Sequence, residues 1–190
     1  MVDTEQKDWT PFWKKRSYSL YALVKDSFSK KFAQLITENK SKGKVLEAGC
    51  GEGKILYHLK NSHHVFGLDY SWLACTKTKD LIDCVVNGDN FFLPFKSDVF
   101  DVVFNQGIIH TTSQPLEMLQ EMLRVTKKNG IVLFSVPKKK SLFPLIGGFW
   151  PIKQKYYTQR EFRELLSRLP YPSTMRNFWY GQLFIGIIKK

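Results

Sequence analysis

Gly49, Gly51 and Gly53 crowd into five positions of the stretch VLEAGCGEGKILYHL, residues 45–59, between two apolar runs. Glycine frees the backbone to take unusual dihedrals and lets a ligand approach the main chain closely, which is the chemistry of phosphate and nucleotide loops. Two such loops fail on spacing. A Walker A loop needs Ser or Thr after Gly-Lys, whereas Gly53-Lys54 is followed by Ile55. A dinucleotide fingerprint needs a sixth-position glycine, where Lys54 stands, although Asp69 lies at about the distance expected of a ribose-binding carboxylate. What remains is E-x-G-x-G-x-G, with Glu47 ahead of the glycines and Asp69 closing the next apolar run.

Other reactive side chains offer less. Cys50, set between glycines, reads as a small packed residue, because no thiol motif surrounds it. His63 and His64 are adjacent, a poor metal geometry, and read as a surface turn. The three cysteines form no CxxC pair and are odd in number, which argues against a disulfide scaffold or a zinc site and for a reducing compartment. A cytoplasmic location is expected, with no metal.

The elements that must position these residues alternate. Val45 and Leu46 begin an extended run, whereas Ile55, Leu56 and Leu59 recur at helical spacing, so the glycines join strand to helix. Ahead of them, residues 10–40 read as one or two amphipathic helices with Leu20, Leu23, Val24, Phe28, Phe32 and Leu35 on the apolar stripe. Behind them follow a strand ending at Asp69, a helix from Trp72, a short third strand in DCVVNGD, and FDVVFNQG, apolar on both sides as a central parallel strand is. QPLEMLQEMLRVT is a helix closed by KKNG, and IVLFSVP a fifth strand. Thr158 and Glu161 form a capping-box pattern at the head of the last helix, and STMRNFWYG and LFIGIIKK end the chain as strands. Strand and helix in alternation predict a doubly wound α/β sheet.

With 190 residues the chain is expected to form one domain with a sizeable core. Its longest apolar runs, 131–136 and 183–188, fall short of a bilayer span, and its acidic start lacks the apolar stretch of a signal peptide. The net charge of +12 is unevenly spread: residues 127–190 carry 13 basic and 2 acidic side chains, while residues 45–126 carry 6 and 10. Basic flanks of this kind either draw an anionic partner or serve only solubility.

Four ordered blocks over residues 43–137 resemble the class I S-adenosylmethionine-dependent methyltransferases. The glycine stretch resembles their motif I, GLDYS their motif II, and NGDNFFLPFKSDVFDVVFNQGIIH their D-x-x-x-LPF-x-x-x-x-FD-V-V block. EMLRVTKKNGIVLFSVP resembles their R-V-L-K-P-G-G segment, with Ala48 in place of a usual glycine and Lys128-Asn129-Gly130 in place of Pro-Gly-Gly. The resemblance implies a Rossmann-like three-layer sandwich whose mixed seven-stranded sheet runs 3-2-1-4-5-7-6 with strand 7 antiparallel. It implies S-adenosylmethionine as cofactor. Gly49, Gly51 and Gly53 would make room for its methionine part, Glu47 would balance positive charge, and Asp69, followed by Tyr70, would take the ribose hydroxyls. Asp89 and Asn90 would meet the adenine, and Asn105 and Gln106 would border the sulfonium and the acceptor. Asp69 has a second reading as a helix cap and Asp89 as turn chemistry, while Asp101 is expected to brace its loop. His110, on the rim where an acceptor would sit, is a candidate general base or a packed, hydrogen-bonding histidine. Methyl transfer from a sulfonium demands alignment above all, so no base is obligatory.

The resemblance suits a small-molecule methyltransferase: the strand-four sequence NQGI lacks the Asn-Pro-Pro-Tyr type motif of base-amino methyltransferases. Residues 1–42 are then a helical cap, 43–137 the cofactor core, 138–157 a basic aromatic lid and 158–190 the final helix and strands. Lys138, Lys139 and Lys140 beside the aromatic and aliphatic residues of the lid suggest an acceptor with an anionic end and an apolar body. Peripheral contact with an acidic lipid surface and an RNA acceptor are the other readings of that segment, a packed lid is the plain one, and a cofactor-binding module without turnover is the alternative to an enzyme.

Overall fold

The computed structural model describes residues 20–141 and 154–190; the predicted helix before Leu20 and most of the 138–157 lid lie outside the described residues. Helix α1 (Leu20–Asn39) leads into β1 (Lys44–Ala48), α2 (Lys54–Leu59), β2 (His64–Asp69), α3 (Trp72–Lys79) and β3 (Cys84–Asn87). Then come β4 (Phe100–Gln106), a 3-10 turn (Ile109–Thr111), α4 (Pro115–Val125), β5 (Thr126–Pro137), α5 (Gln159–Ser167), β6 (Ser173–Phe178) and β7 (Leu183–Lys189). The seven strands form one sheet in the order 3-2-1-4-5-7-6, with β7 antiparallel to both neighbours. That is the predicted Rossmann-like sandwich.

Period-two alternation sorts the strands into two apolar faces. Val45, Val102, Phe104, Ile131, Leu133, Ile185 and Ile187 pack with Phe32 and Ile36 of α1 and Leu56 of α2. Leu46, Val103, Val132, Phe134, Val136 and Phe184 pack with Leu119 of α4 and Phe162 of α5 on the other face. Phe134 lies so close to β7 that a Cβ on Gly186 would stand 2.5 Å from its ring. Burying both faces of the central strands fixes register, because a one-residue slip would exchange them.

Three tertiary contacts set the ends of elements where sequence pattern reads them differently. The predicted KKNG stop after α4 is instead a bulge inside β5: Thr126 already pairs with Phe100, and Ile131 resumes the ladder opposite Val102. The helix end is satisfied from the far end of the chain. The Lys190 ammonium donates to the carbonyls of Leu123 at 2.9 Å and Thr126 at 2.6 Å, a cation at a helix C-terminus. His63 is not a surface turn residue but buried, bonded to the Lys40 carbonyl at 2.9 Å and to Ser62 at 2.8 Å, where it fastens the end of α1.

The turn between β6 and β7 carries backbone strain. Trp179 and Tyr180 have φ of 51° and 53°, and Gly181 follows at 75°. A left-handed backbone costs a bulky residue roughly 1–2 kcal/mol, so two aromatic residues there are expensive for a turn that glycine or asparagine closes freely.

Candidate active site

The carboxyl ends of parallel β1, β2 and β4 open onto one edge of the sheet, the edge where such sheets bind ligands. The glycine turn lies there. Gly49, Gly51 and Gly53 all have positive φ, 87°, 54° and 66°. At Gly49 the requirement is also steric, since a Cβ would fall 1.9 Å from Cδ1 of Ile108. The amides of Gly49 and Cys50 both donate to the Leu68 carbonyl, at 2.7 and 2.8 Å, which pins the turn to the end of β2.

Asp69 organises this turn from the neighbouring strand. One carboxylate oxygen accepts from the Gly51 amide at 2.9 Å and the other from the Ser71 amide at 2.9 Å. Ser71, not Asp69, is the N-cap of α3, its hydroxyl accepting from the Ala74 amide. Burial pushes the Asp69 carboxyl up, while the two amides hold it down. Each carboxylate oxygen keeps a further lone pair for a ligand hydroxyl. Glu47 is buried on β1, and burial together with the charges of Asp69 and Glu47 pushes the Cys50 thiol far up, so Cys50 is an inert packed residue. Two buried carboxylates thus make the turn an electronegative setting, suited to a ligand that carries cations.

Thr78, on α3, braces the turn from beneath. Its hydroxyl donates to the Gly51 carbonyl at 2.7 Å and its methyl fills the space beside Gly53, where a Cβ would come within 2.7 Å. No motif marks it.

The loop after β3 supplies the next wall. Asp89 accepts from the Phe91 amide at 2.9 Å, the turn chemistry of its second reading, and remains half-exposed at the position where an adenine contact is expected. Asn90 is buried, with its amide nitrogen 3.3 Å from where a Cβ on Gly49 would stand, and its Oδ1 has no hydrogen-bond partner among the described residues. A buried acceptor left open costs about 1–3 kcal/mol, and a ligand donor would satisfy it. This loop is clamped from α4. Arg124 forms a two-pronged pair with Glu121 at 2.7 and 2.8 Å and donates to the carbonyls of Leu93 at 3.0 Å and Phe95 at 2.9 Å. Glu121 accepts from the Leu93 amide at 2.8 Å. Arg124 was visible within a motif block and Glu121 stands one helical turn before it; the Leu93 and Phe95 carbonyls lie some thirty residues upstream, which spacing could not give.

At the end of β4, Asn105 is wholly buried and turned to backbone. Its amide donates to the Ala48 carbonyl and its oxygen accepts from the amides of Ile108 at 3.2 Å and Ile109 at 3.3 Å, so it ties β1 to the 3-10 turn. Gln106 is half-buried beside it and Tyr70, 42% exposed, stands at the rim. His110 is buried in the 3-10 turn. Burial drives its imidazole down to about 4 against an opposing hydrogen bond with Gln154, and its carbonyl accepts from the Lys155 amide at 2.8 Å. It is neutral at pH 7 and joins the 154–157 segment to the site. Asp101 lies away from this edge, accepting from the Lys44 amide at 2.8 Å and from Lys127 at 3.0 Å, the brace expected of it.

The residues present fit S-adenosylmethionine on two grounds: a cradle at Gly49 that any side chain would fill, and an open buried acceptor on Asn90 next to it. A family model described as a methyltransferase domain matches residues 46–134. The chain is 31% identical over 140 residues to malonyl-[acyl-carrier protein] O-methyltransferase of Erwinia billingiae, covering 72% of this chain and 55% of that protein. It is 29% identical over 110 residues to the human protein named probable tRNA methyltransferase 9B, covering 54% of this chain and 23% of that one. The chain therefore spans about half the length of the first relative and about a quarter of the second. Among solved structures, a SAM-dependent methyltransferase from Archaeoglobus fulgidus superposes with a TM-score of 0.73 at 17% identity, over 90% of this chain and 100% of that one. At that identity the likeness shows the fold. With the sheet order, the glycine turn and these matches together, residues 46–134 form a methyltransferase domain, on a fold shared with S-adenosylmethionine-dependent methyltransferases.

Proposed function

We propose that the protein transfers a methyl group from S-adenosylmethionine to a small acceptor that is anionic or amphipathic. The observation that carries the cofactor half is the open acceptor of Asn90 beside the bare backbone of Gly49. When bound, S-adenosylmethionine supplies a methyl group on a sulfonium, which an in-line displacement passes to the acceptor. The chain's own contribution is alignment and charge. Gly49 and Gly51 let the methionine part lie against the main chain, and Glu47 and Asp69 offset its positive charge. Asp69 turns its remaining lone pairs to the ribose hydroxyls, Tyr70 flanks them, and Asp89 and Asn90 take the adenine edge. Gly53 gives its side-chain space to the Thr78 brace. Asn105 holds the floor of the site rigid and Gln106 borders the acceptor. His110, already neutral at working pH, positions the 154–157 segment and takes a proton only from an acceptor that must lose one.

The acceptor half rests on charge. Lys138 to Lys140 follow the last residue of β5, at the same edge of the sheet as the cofactor turn, and Lys139 and Lys140 are exposed. The relative named for malonyl-[acyl-carrier protein] is consistent with a carboxylate-bearing acceptor, and the one named for tRNA keeps RNA as the second reading. No helix among the described residues is long and apolar enough to cross a membrane. Calorimetry tests the cofactor half: S-adenosylmethionine and its demethylated product should bind, NAD and ATP should not, and Asp69→Ala should lose about 1–3 kcal/mol of affinity. Binding of NAD alone would refute it. Radiolabelled cofactor offered to pools of small acids, lipids and bulk RNA tests the acceptor half.

A further inference from the structure

The β6–β7 turn, residues 179–182, sits at the ligand edge of the sheet: Leu183 pairs with Pro137 at the end of β5, and the Lys138 amide donates to the Gln182 carbonyl at 3.1 Å. It combines three features that the fold itself does not need. Trp179 and Tyr180 hold left-handed backbone that a glycine would take without strain. Tyr180 is 79% exposed, so the strain is not recovered by burying its ring. Two ammonium groups stand close to the turn, that of Lys138 also lying 4.6 Å from the centre of the Phe184 ring. Lys31 of α1 lies 4.7 Å from the centre of the Tyr180 ring and 5.6 Å from that of Trp179, and Lys138 comes within 4.0 Å of the Cβ position of Gly181. The ring of Trp179 is anchored edge-on against Phe28 of α1 at 5.1 Å, which leaves Tyr180 as the presented face. Charge runs one way: of residues 127–190 only Glu161 and Glu164 are acidic, both on α5, and Glu161 is spent in its capping box with Thr158.

We propose that this turn is the acceptor-docking platform of the methyltransferase and that it selects a small planar ring bearing an anionic group, the ring stacking on Tyr180 and the anion meeting Lys31 and Lys138. The proposal rests on the methyltransferase reading above and adds the acceptor's chemical class. An exposed ring flanked by cations offers an aromatic face and an anion site side by side, so each part alone binds weakly and the two together bind well.

The test uses the whole chain with bound S-adenosylhomocysteine and four probes: 4-hydroxybenzoate, phenyl phosphate, the neutral ring benzamide and the ringless anion acetate. The two anionic rings should bind at least tenfold more tightly than benzamide or acetate, and the tighter of them names carboxylate or phosphate. Tyr180→Gly should lose about tenfold in probe affinity yet raise the melting temperature, because it relaxes the left-handed backbone; a merely structural ring would lower it. Tyr180→Phe should retain binding, and Lys31→Gln with Lys138→Gln should lose it and flatten its salt dependence. Benzamide binding as tightly as the acids, or Tyr180→Gly leaving affinity unchanged, would overturn the platform. A single-stranded oligouridylate that binds a hundredfold more tightly than phenyl phosphate, with the same dependence on Tyr180, would overturn the small-acceptor assignment in favour of nucleic acid. Failure of the wild-type chain to bind S-adenosylhomocysteine would instead defeat the underlying methyltransferase reading.

Discussion

Thr78→Val isolates one hydrogen bond on which the cofactor turn hangs. Thr78 is fully buried, and valine keeps its shape, so no cavity opens and the methyl beside Gly53 stays in place. Only the hydroxyl goes. With it goes the 2.7 Å bond to the Gly51 carbonyl and the acceptor of the Cys50 thiol, 3.7 Å away. Leaving a buried carbonyl unmatched costs about 1–3 kcal/mol, which in a domain of this size lowers the melting temperature by about 2–12 °C. The same peptide segment carries the Gly51 amide that orients Asp69 at 2.9 Å, so the turn should relax where the cofactor binds. The expected weakening of S-adenosylhomocysteine binding is then about 5- to 150-fold, read by calorimetry, with that energy as its upper bound. Thr78→Ser supplies the control: it restores the hydroxyl and loses one methyl group, so affinity should return while about 1 kcal/mol of stability is lost. A Thr78→Val protein that melts lower but binds as tightly as wild type would refute the claim that Thr78 positions the turn.

Two further outcomes follow from the geometry. His110 takes up its proton near pH 4 in the folded chain and near 6.5 unfolded, so the unfolded chain binds more protons in between; stability should be full above pH 6.5, fall by at most about 3 kcal/mol as pH drops toward 4, and level there. Urea titrations of His110→Gln should show that acid limb flattened, and its persistence would place the limb elsewhere. Arg124→Met removes the bonds to the Leu93 and Phe95 carbonyls and strands Glu121, at a cost of about 2–3 kcal/mol. Hydrogen exchange at the Leu93 amide should accelerate with weaker cofactor binding, and unchanged exchange would show that the clamp is idle.

The short apolar runs and the helical repeats between them determined seven strands and their helices, because central strands buried on both faces read as continuous apolar runs while helices repeat every three to four residues. The glycine turn was equally legible, since positive φ at Gly49, Gly51 and Gly53 strains any residue with a side chain, and at Gly49 a Cβ would also clash with Ile108. The capping box at Thr158 and Glu161 needed only local spacing, and both of its bonds are present. Contacts between residues far apart in sequence left no such imprint. Lys190 reads as a terminal lysine until the fold brings its ammonium to the end of α4, and His63 reads as exposed until α1 closes over it. Asn105 lies in a motif block that points to the ligand, yet its side chain is turned to backbone, a choice made by the packing of β1 against β4. Thr78 serves the turn only because α3 folds back beneath it. Local pattern is written by burial and backbone geometry, which each segment carries for itself; the partners of a buried polar group are decided only when the segments meet.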